Sequence, residues 1–361
     1  MIKGRVLYDV TKACKQRQKS GIARVSNCLK RELKRALTDH FVEVVWDDRS
    51  ETIKPREKKA EWSIEPGDVF VTCELFCEFE RVGIEGFLRE FPGRTYGIFH
   101  DAIPLQFPEF TWPHSVQRHP SYMKMLSMFS GVFAVSNHSA IQLEEYWEWL
   151  ELEKAPSVRS IQLGCDGVFD EWSPPKREIG DPLRILTLAI IETRKGQDIA
   201  IEAAKKLWDE GSDFRYDFVG RTNPYFGKDI ERSLKRYAKK GYPVAVHGQL
   251  GDADLQRVFG EVDLVILPSL AEGCGLPLLE SLWKGVPTLS SSLHSIRENA
   301  RFGGCLLFNR GDGRDLVNKL RSLIENPSEL EALKASIRSE ALPRWSSTAT
   351  DIVDYLETDG A

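Results

Sequence analysis

Residues 264–287, LVILPSLAEGCGLPLLESLWKGVP, constrain the fold of this chain more than any other stretch. Leu264 to Leu267 form a short apolar run of the kind a buried parallel strand shows, and Pro268 stops it. Pro277 fits the first position of a new helix, Leu278, Leu279, Leu282 and Trp283 supply its apolar side, and Gly285 fits its C-terminal cap. The stretch is strand, glycine turn, helix. Gly273 and Gly275 let backbone N–H groups approach a ligand closely and open onto a helix N-terminus, where unpaired amides and the helix dipole favour an anion. Glu272 stands just before the turn and Glu280 in the first helical turn. Two carboxylates beside an anion site repel a bare phosphate, so their chemistry is to accept hydrogen bonds from hydroxyls, such as those of a sugar and a ribose. The dipole alone favours Glu280 by roughly 0.3–1 kcal/mol, so each residue taken singly also has a structural reading.

The rest of the second half repeats this grammar. Strands are predicted over 184–191, 216–219, 244–247, 286–289 and 305–308, and helices over 198–210, 229–240, 252–260 and 314–325. Such alternation specifies a doubly wound parallel sheet. The first half reads similarly, with strands over 5–10, 41–46, 68–72, 95–100, 131–135 and 158–163. A helix follows Ser20-Gly21, with Ile22, Val25, Leu29, Leu33 and Leu37 along its apolar side and Lys30, Arg31, Lys34 and Arg35 on the other. Residues 47–67 are charged and read as a surface connection, and residues 113–120 as a proline-rich loop ahead of a helix over 121–129. Ser136 caps a helix running towards Leu152. Asp170 to Pro182, with its Trp-Ser-Pro-Pro-Lys core, reads as an interdomain linker, and Trp345 to Leu356 as a terminal helix.

Composition narrows the class. The 361 residues suffice for two domains, and 42% hydrophobic with 29% charged residues is ordinary for a globular protein. No apolar run approaches the ~20 residues needed to span a bilayer, and MIKGRVLYDV has no signal-peptide pattern, so a cytoplasmic protein is expected. Seven scattered cysteines argue for reduced thiols rather than a disulfide framework. Net charge is −5, yet eleven Lys and Arg stand against three acids through residue 40. That basic region suits an anionic membrane surface or a diphosphate-bearing acceptor, and equally a solvated helix face.

Two loops at strand ends carry further chemistry. In Glu192-Thr193-Arg194-Lys195-Gly196, two cations follow a parallel strand, where charge-assisted hydrogen bonds to a diphosphate contribute roughly 1.5–3 kcal/mol each. His100-Asp101 also ends a strand, at the edge where open α/β sheets bind ligands. His114 and His119 lack a cysteine or carboxylate at ligand spacing, so no metal site is expected there.

Taken together, Pro268-Ser269, Glu272-Gly273-x-Gly275-Leu276-Pro277 and Glu280 closely resemble the E-x7-E signature of the family-4 retaining glycosyltransferases, which have the GT-B fold. Cys274 departs from the aromatic residue usual there, which alters the sugar pocket but not the backbone amides. Glu192 to Lys195 resembles the E-x-R-K element of the mannosyltransferase-like members, although many relatives carry an arginine where this chain has Leu188-Ala189. Gly21-Ile22-x-Arg24 resembles the family's glycine loop near the donor phosphates, and Ser136-Asn137-His138-Ser139 a position at the cleft. Gly220-Arg221 and His247-Gly248-Gln249-Leu250 match loops that contact the nucleobase through backbone.

The resemblance covers nearly the whole chain and implies an α/β architecture of two Rossmann-like domains facing each other across a cleft. Residues 1–172 would form the acceptor side, 173–342 the nucleotide-sugar side, and 343–361 a helix returning to the first domain. It implies transfer of a hexose, first mannose from GDP-mannose with UDP-hexoses close behind, to a hydroxyl of a glycan or lipid-linked acceptor in polysaccharide assembly. Lys195 and Arg194 would neutralise the leaving diphosphate, with the amides around Gly273, Cys274, Gly275 and Leu276 aimed at the same charge. His100 and Glu272 would orient the sugar, and Glu280 would hold the ribose. No metal or other cofactor and no nucleic acid is implied, and peripheral contact with the inner face of a membrane fits the basic N-terminal region. A nicotinamide oxidoreductase is disfavoured because no GxGxxG follows a strand, and no GxxxxGK[ST] occurs. A GT-B phosphorylase or epimerase and a non-catalytic sugar-binding protein remain as alternatives.

Overall fold

The computed structural model describes residues 4–15, 20–57, 61–167 and 182–358. The chain divides into two compact units, Met1–Gly164 with Pro343–Ala361, and Cys165–Leu342. Most of the predicted linker, Asp170 to Pro182, lies outside the described residues.

In the first unit the strands are β1 (Val6–Asp9), β2 (Phe41–Asp47), β3 (Thr52–Pro55), β4 (Val69–Thr72), β5 (Arg94–Phe99), β6 (Gly131–Ala134) and β7 (Ser157–Ser160). The helices are α1 (Gly21–Leu37), α2 (Ile84–Glu90), α3 (Ile103–Gln106), α4 (Pro113–Met125) and α5 (Asn137–Trp149). The sheet order is β3-β2-β1-β4-β5-β6-β7. Only β3 runs antiparallel, paired with β2. All four residues of β1, β4 and β6 are buried, as expected for parallel strands covered on both faces.

In the second unit β8 (Leu183–Leu188), β9 (Phe214–Val219), β10 (Val244–Gly248), β11 (Leu264–Leu267), β12 (Thr288–Ser291) and β13 (Cys305–Phe308) alternate with α6 (Gln197–Asp209), α7 (Lys228–Lys239), α8 (Asp252–Phe259), α9 (Leu276–Trp283), α10 (His294–Ala300), α11 (Gly313–Glu325) and α12 (Pro327–Ala335). The order β10-β9-β8-β11-β12-β13 is parallel throughout. Ile185, Tyr216, Phe218, Leu264 and Ile266 pack with Ala204, Leu207, Leu234, Leu316 and Leu320 from the covering helices.

The last helix, α13 (Trp345–Thr358), packs in the first unit against α1. Gly164 allows the approach, since a Cβ there would lie 2.1 Å from the Trp345 nitrogen. Thr348 Oγ1 donates to the Gln162 carbonyl at 2.7 Å, and Tyr355 sets its ring edge-on to Phe133 at 5.4 Å.

Several local expectations are corrected. Residues 47–67 hold β3, an edge strand whose four residues pair with β2. His114 and His119 lie on α4, which accommodates Pro120 in its interior, rather than in a loop. The strand expected over 286–289 is β12, two residues later, because Val286 and Pro287 still belong to the turn after Gly285. The strand expected over 158–163 ends at Ser160. Ile22 is 36% exposed although Val25, Leu29, Leu33 and Leu37 are buried, because it lies in the terminal turn of α1 with no layer over it. The basic side of α1 is also partly neutralised: Arg31 and Arg35 pair with Glu32 at 2.6 and 2.9 Å, and Lys30 stands 3.9 Å from Glu43.

Candidate functional site

In the second unit the chain winds outward from β8 to β9 and β10, then returns to place β11 on the other side of β8. This reversal opens a crevice beyond the C-terminal ends of β8 and β11, the place where open α/β sheets bind ligands. The loop after β8 is Glu192–Gly196 and the loop after β11 is Ser269–Gly275, so topology brings the two sequence motifs together.

Two glycines make the approach possible. Gly196, at φ 66°, starts α6 while the Pro268 carbonyl passes where its Cβ would sit, 2.1 Å away. Gly275, at φ 78°, is the residue from which α9 starts, with Leu276 and Pro277 in the first turn. Gly275 has no side chain with which to cap the first amides of α9, and the dipole makes that end favourable to an anion. Asn299 Nδ2 donates to the Cys274 carbonyl at 2.7 Å and Ser295 Oγ to the Glu272 carbonyl at 2.8 Å, so α10 holds the Glu272–Gly275 turn from behind. Cys274 is buried and its thiol is pushed up to about 12 by that burial, which keeps it protonated and unreactive at neutral pH.

At the centre, Lys195 Nζ meets Glu272 Oε1 at 2.6 Å, and Ser269 Oγ donates to the same oxygen at 2.6 Å. The two charged side chains are 10% and 12% exposed. Burial depresses the Lys195 ammonium, with the attraction of Glu272 opposing it and Arg194 adding repulsion. For Glu272 burial pushes upward, but Lys195 and Arg194 outweigh it and the carboxyl falls below its ordinary range. Glu272 is therefore a carboxylate at neutral pH held against the Lys195 amine, and removal of either partner alone strips the other of its buried counterpart, a change that costs about 3–5 kcal/mol.

Arg194 ties the two loops together. Its Nη1 donates to the Ala271 carbonyl at 3.0 Å and its Nη2 to Glu192 Oε1 at 2.7 Å. Asn223, in the loop after β9, donates to Glu192 Oε2 at 2.9 Å. Sequence reasoning missed Asn223, Ser295 and Asn299; their positions carry no pattern, and only the fold brings them to these loops. Glu280 lies in α9 beyond its first turn rather than within it, because the helix already starts at Leu276, and is 2% exposed. Gly220 closes the next loop: its amide donates to the Gly248 carbonyl at 2.7 Å, and a Cβ would strike the Ala189 carbonyl. Gln249 is exposed and Leu250 half-buried beyond β10.

The first unit holds the other candidates. Gly21 opens α1, and Ser20 caps that helix by accepting from Ala23 N. His100, at the end of β5, is buried. Its Nε2 donates to the Cys73 carbonyl at 2.9 Å, and Ser139 Oγ donates to the His100 carbonyl at 3.0 Å. Burial lowers its pKa, so the imidazole is neutral at pH 7 and Nδ1 is the acceptor. Beside it lies an ion cluster the sequence did not reveal. Arg81 pairs with Asp9 at 2.7 Å and with Glu74, while its guanidinium stacks 3.7 Å over the Phe76 ring. Glu74 also accepts from the amides of Lys12 and Ala13. Among the described residues no group of His, Cys, Asp and Glu is gathered as a metal site, and no helix is long and apolar enough to cross a membrane.

Residues 168–340 match the family described as glycosyl transferases group 1. The serotype-specific mannosyltransferase WbdA of Escherichia coli is 28% identical over 274 residues, covering 73% of this chain and 33% of WbdA. The amylovoran biosynthesis glycosyltransferase AmsK of Erwinia amylovora is 33% identical over 223 residues, 58% of this chain and 50% of AmsK. The sulfoquinovosyl transferase SQD2 of Arabidopsis thaliana is 25% identical over 268 residues, 70% of this chain and 50% of SQD2. The chain thus spans a third to a half of the length of these relatives. Among solved structures, sucrose-phosphate synthase from Thermosynechococcus elongatus aligns with a TM-score of 0.73 at 14% identity, over 99% of both chains. Anabaena HepE in complex with UDP-glucose aligns with a TM-score of 0.71 at 15% identity, over 98% of this chain and 99% of HepE. Residues 168–340 are thus similar to the glycosyl transferases group 1 family, and the two parallel sheets with these structural neighbours show the GT-B fold.

Proposed function

We propose that this protein is a retaining glycosyltransferase that moves a hexose from a nucleotide sugar to a hydroxyl of a glycan or lipid-linked acceptor in polysaccharide or glycoconjugate assembly. Mannose from GDP-mannose is the first choice of donor, favoured by the E-x-R-K element and by likeness to WbdA. The observation that carries the reading is the Lys195–Glu272 pair at the strand reversal, beside the glycine-started N-terminus of α9.

The chemistry follows from charge. The bond between the sugar's anomeric carbon and the donor phosphate oxygen breaks, and negative charge collects on the diphosphate. Lys195 and the amides at the start of α9 stabilise that charge in a site where burial strengthens every ionic contact. The acceptor oxygen bonds the anomeric carbon from the same face, and its proton passes to the departing phosphate, so no carboxylate nucleophile is needed. Glu272 accepts hydrogen bonds from sugar hydroxyls, Glu280 from the ribose, and His100 offers Nδ1 as an acceptor. Arg194, held between Glu192 and the Ala271 carbonyl, acts first by keeping both loops in register and adds its charge to the same region. The reading includes a cytoplasmic location at the inner face of a membrane.

The test is nucleotide release across GDP-, UDP-, dTDP- and ADP-sugars, with Lys195→Ala alongside. Release from one donor, lost in the variant while its circular-dichroism spectrum shows it folded at the assay temperature, establishes the reaction and names the donor. Release that persists unchanged in Lys195→Ala overturns the assignment of the site.

A further inference from the structure

The first unit has its own strand reversal, between β1 and β4, and the loops beyond those strands meet the N-terminal half of α4. Lys12 comes from the loop after β1, Glu80 from the loop after β4, and His114 and Arg118 from α4. All three basic groups face one oxygen. Glu80 Oε1 lies 3.4 Å from Lys12 Nζ, 3.3 Å from His114 Nε2 and 3.3 Å from Arg118 Nη1. Each distance is at the outer limit of a hydrogen bond.

The rest of the cluster is undersupplied. Glu80 Oε2 and Arg118 Nε are buried without a hydrogen-bond partner. Buried polar atoms of this kind are rare unless a bound group or water completes them. Glu80 and Arg118 are 16% and 14% exposed, so bulk solvent does not easily do so. The neighbouring Arg81 cluster is the contrast: Asp9 and Glu74 both bond Arg81, and each takes further bonds from backbone amides. Those inner carboxylates are thereby occupied, and Arg118 shares the single carboxylate of Glu80 with Lys12, whose ammonium also donates to the Leu75 carbonyl. Burial depresses the Lys12 ammonium, and Arg118 and Arg81 add to this by repulsion while Glu80 opposes it. An incoming anion relieves that repulsion. The surroundings are apolar on one side: Phe79 is 52% exposed with its ring against His114 at 6.5 Å, and Trp112, the residue before α4, is 38% exposed.

We propose that Lys12, His114 and Arg118 form the seat of an anionic group, a phosphate or a carboxylate, carried by the acceptor. Naming the carrier as the acceptor rests on the glycosyltransferase reading; the anion seat itself rests on the three basic groups and the unpartnered Arg118 Nε. The guanidinium supplies the fork that planar carboxylates and phosphates match, and Glu80 holds the cations apart when the seat is empty. A lipid-linked saccharide brings a phosphate, and a uronic-acid saccharide brings a carboxylate.

The full-length protein, with its nucleotide site saturated by GDP and UDP, is titrated calorimetrically with hexyl phosphate and, separately, with methyl glucuronide. The titrations are repeated with Arg118→Gln, Lys12→Gln and Lys239→Gln, the last an exposed lysine of the second unit that controls for net charge. The expected result is that one probe binds, that Arg118→Gln and Lys12→Gln each weaken it about tenfold, and that Lys239→Gln and nucleotide affinity are unaffected. Preference for hexyl phosphate assigns the lipid-linked source, and preference for the glucuronide the uronic acid. Lys12→Gln, on a more exposed side chain, carries the test if Arg118→Gln lowers the melting temperature. Failure of both probes to bind, or binding by both site variants as tight as by the wild-type protein, overturns the proposal. If a probe binds through Arg118 while no nucleotide binds the wild-type protein, the seat stands and the glycosyltransferase reading falls.

Discussion

Replacing Glu272 by glutamine should separate nucleotide binding from turnover, in opposite directions. In the resting protein Glu272 lies 2.6 Å from Lys195 Nζ and neutralises the ammonium assigned to the leaving diphosphate. A phosphate bonded to Lys195 would stand roughly 5 Å from Glu272, and at an effective dielectric near 20 the repulsion is of order 3 kcal/mol before relaxation. Water and protein rearrangement reduce this to about 1–2 kcal/mol, or roughly 5- to 30-fold in affinity. Glutamine keeps an acceptor for Ser269 Oγ, which now bonds Glu272 Oε1 at 2.6 Å, so the loop retains its shape. Glu272→Gln should therefore bind the free nucleoside diphosphate more tightly by that factor at low ionic strength. Turnover should fall about a hundredfold or more, because the carboxylate proposed to orient the sugar is gone. Glu272 also raises the Lys195 pKa against burial, so the tighter binding should fade at lower pH values than those at which wild-type binding declines. Isothermal titration with GDP and UDP, in parallel with nucleotide-release kinetics, reads both effects. Unchanged or weaker diphosphate affinity in Glu272→Gln, with the variant folded at the titration temperature by circular dichroism, would refute the assignment of Lys195 to the diphosphate.

The loop glycines give a second comparison. Gly275→Ala places a Cβ at φ 78° and 2.5 Å from the movable Ile296 Cδ1, and should cost about 1–2 kcal/mol. Gly196→Ala meets the fixed Pro268 carbonyl at 2.1 Å and should cost more; urea midpoints in the reverse order would contradict the packing argument. In the first unit, burial and the nearby Asp9 push the Glu74 carboxyl up to about 7 from 4.5, with Arg81 opposing. The folded state then holds a proton that the unfolded chain releases, so this contribution is complete below about pH 4.5 and is lost as pH rises through 7. Melting temperature should decline across that window and decline less in Glu74→Gln, and parallel profiles would exclude Glu74 as the cause.

Much of the second unit was legible because its site is written in backbone chemistry. Pro268, Gly275, Pro277 and Gly285 mark where a strand stops and a helix starts and ends, and β11 and β13 fall on the predicted residues. The misses have physical causes. β3 is four residues, TIKP, inside a charged segment, and becomes a strand only by pairing with β2. Pro120 made the start of α4 look like a loop, although proline within a helix is tolerated where neighbouring contacts compensate. α10 and α12 are short, and their apolar residues are too few to show a helical period. Arg194 and Lys195 read alike in sequence, as two cations on one loop. The fold separates them: one guanidinium reaches the Ala271 carbonyl and Glu192, and the ammonium beside it reaches the carboxylate of Glu272.

The two units use one topological device with different fillings, and this explains which half announced its chemistry. Around β8 and β11 the crevice is lined by short glycine-bearing loops, and short loops leave a contiguous signature. Around β1 and β4 it is filled by side chains far apart in sequence, with Asp9 bonded to Arg81 and Lys12 facing Glu80 and Arg118. In sequence each of these looks like an ordinary surface charge. In the fold Asp9, Glu74 and Arg81 are at most 5% exposed, and burying ionisable groups in their charged forms costs several kcal/mol each before their mutual attraction returns it. A chain needing only a stable sheet could fill the same space with apolar residues at no loss. The Asp9–Arg81–Glu74 network thus stands at the first unit's strand reversal where the Lys195–Glu272 pair stands at the second's, and each is a place where removing one partner leaves a buried charge.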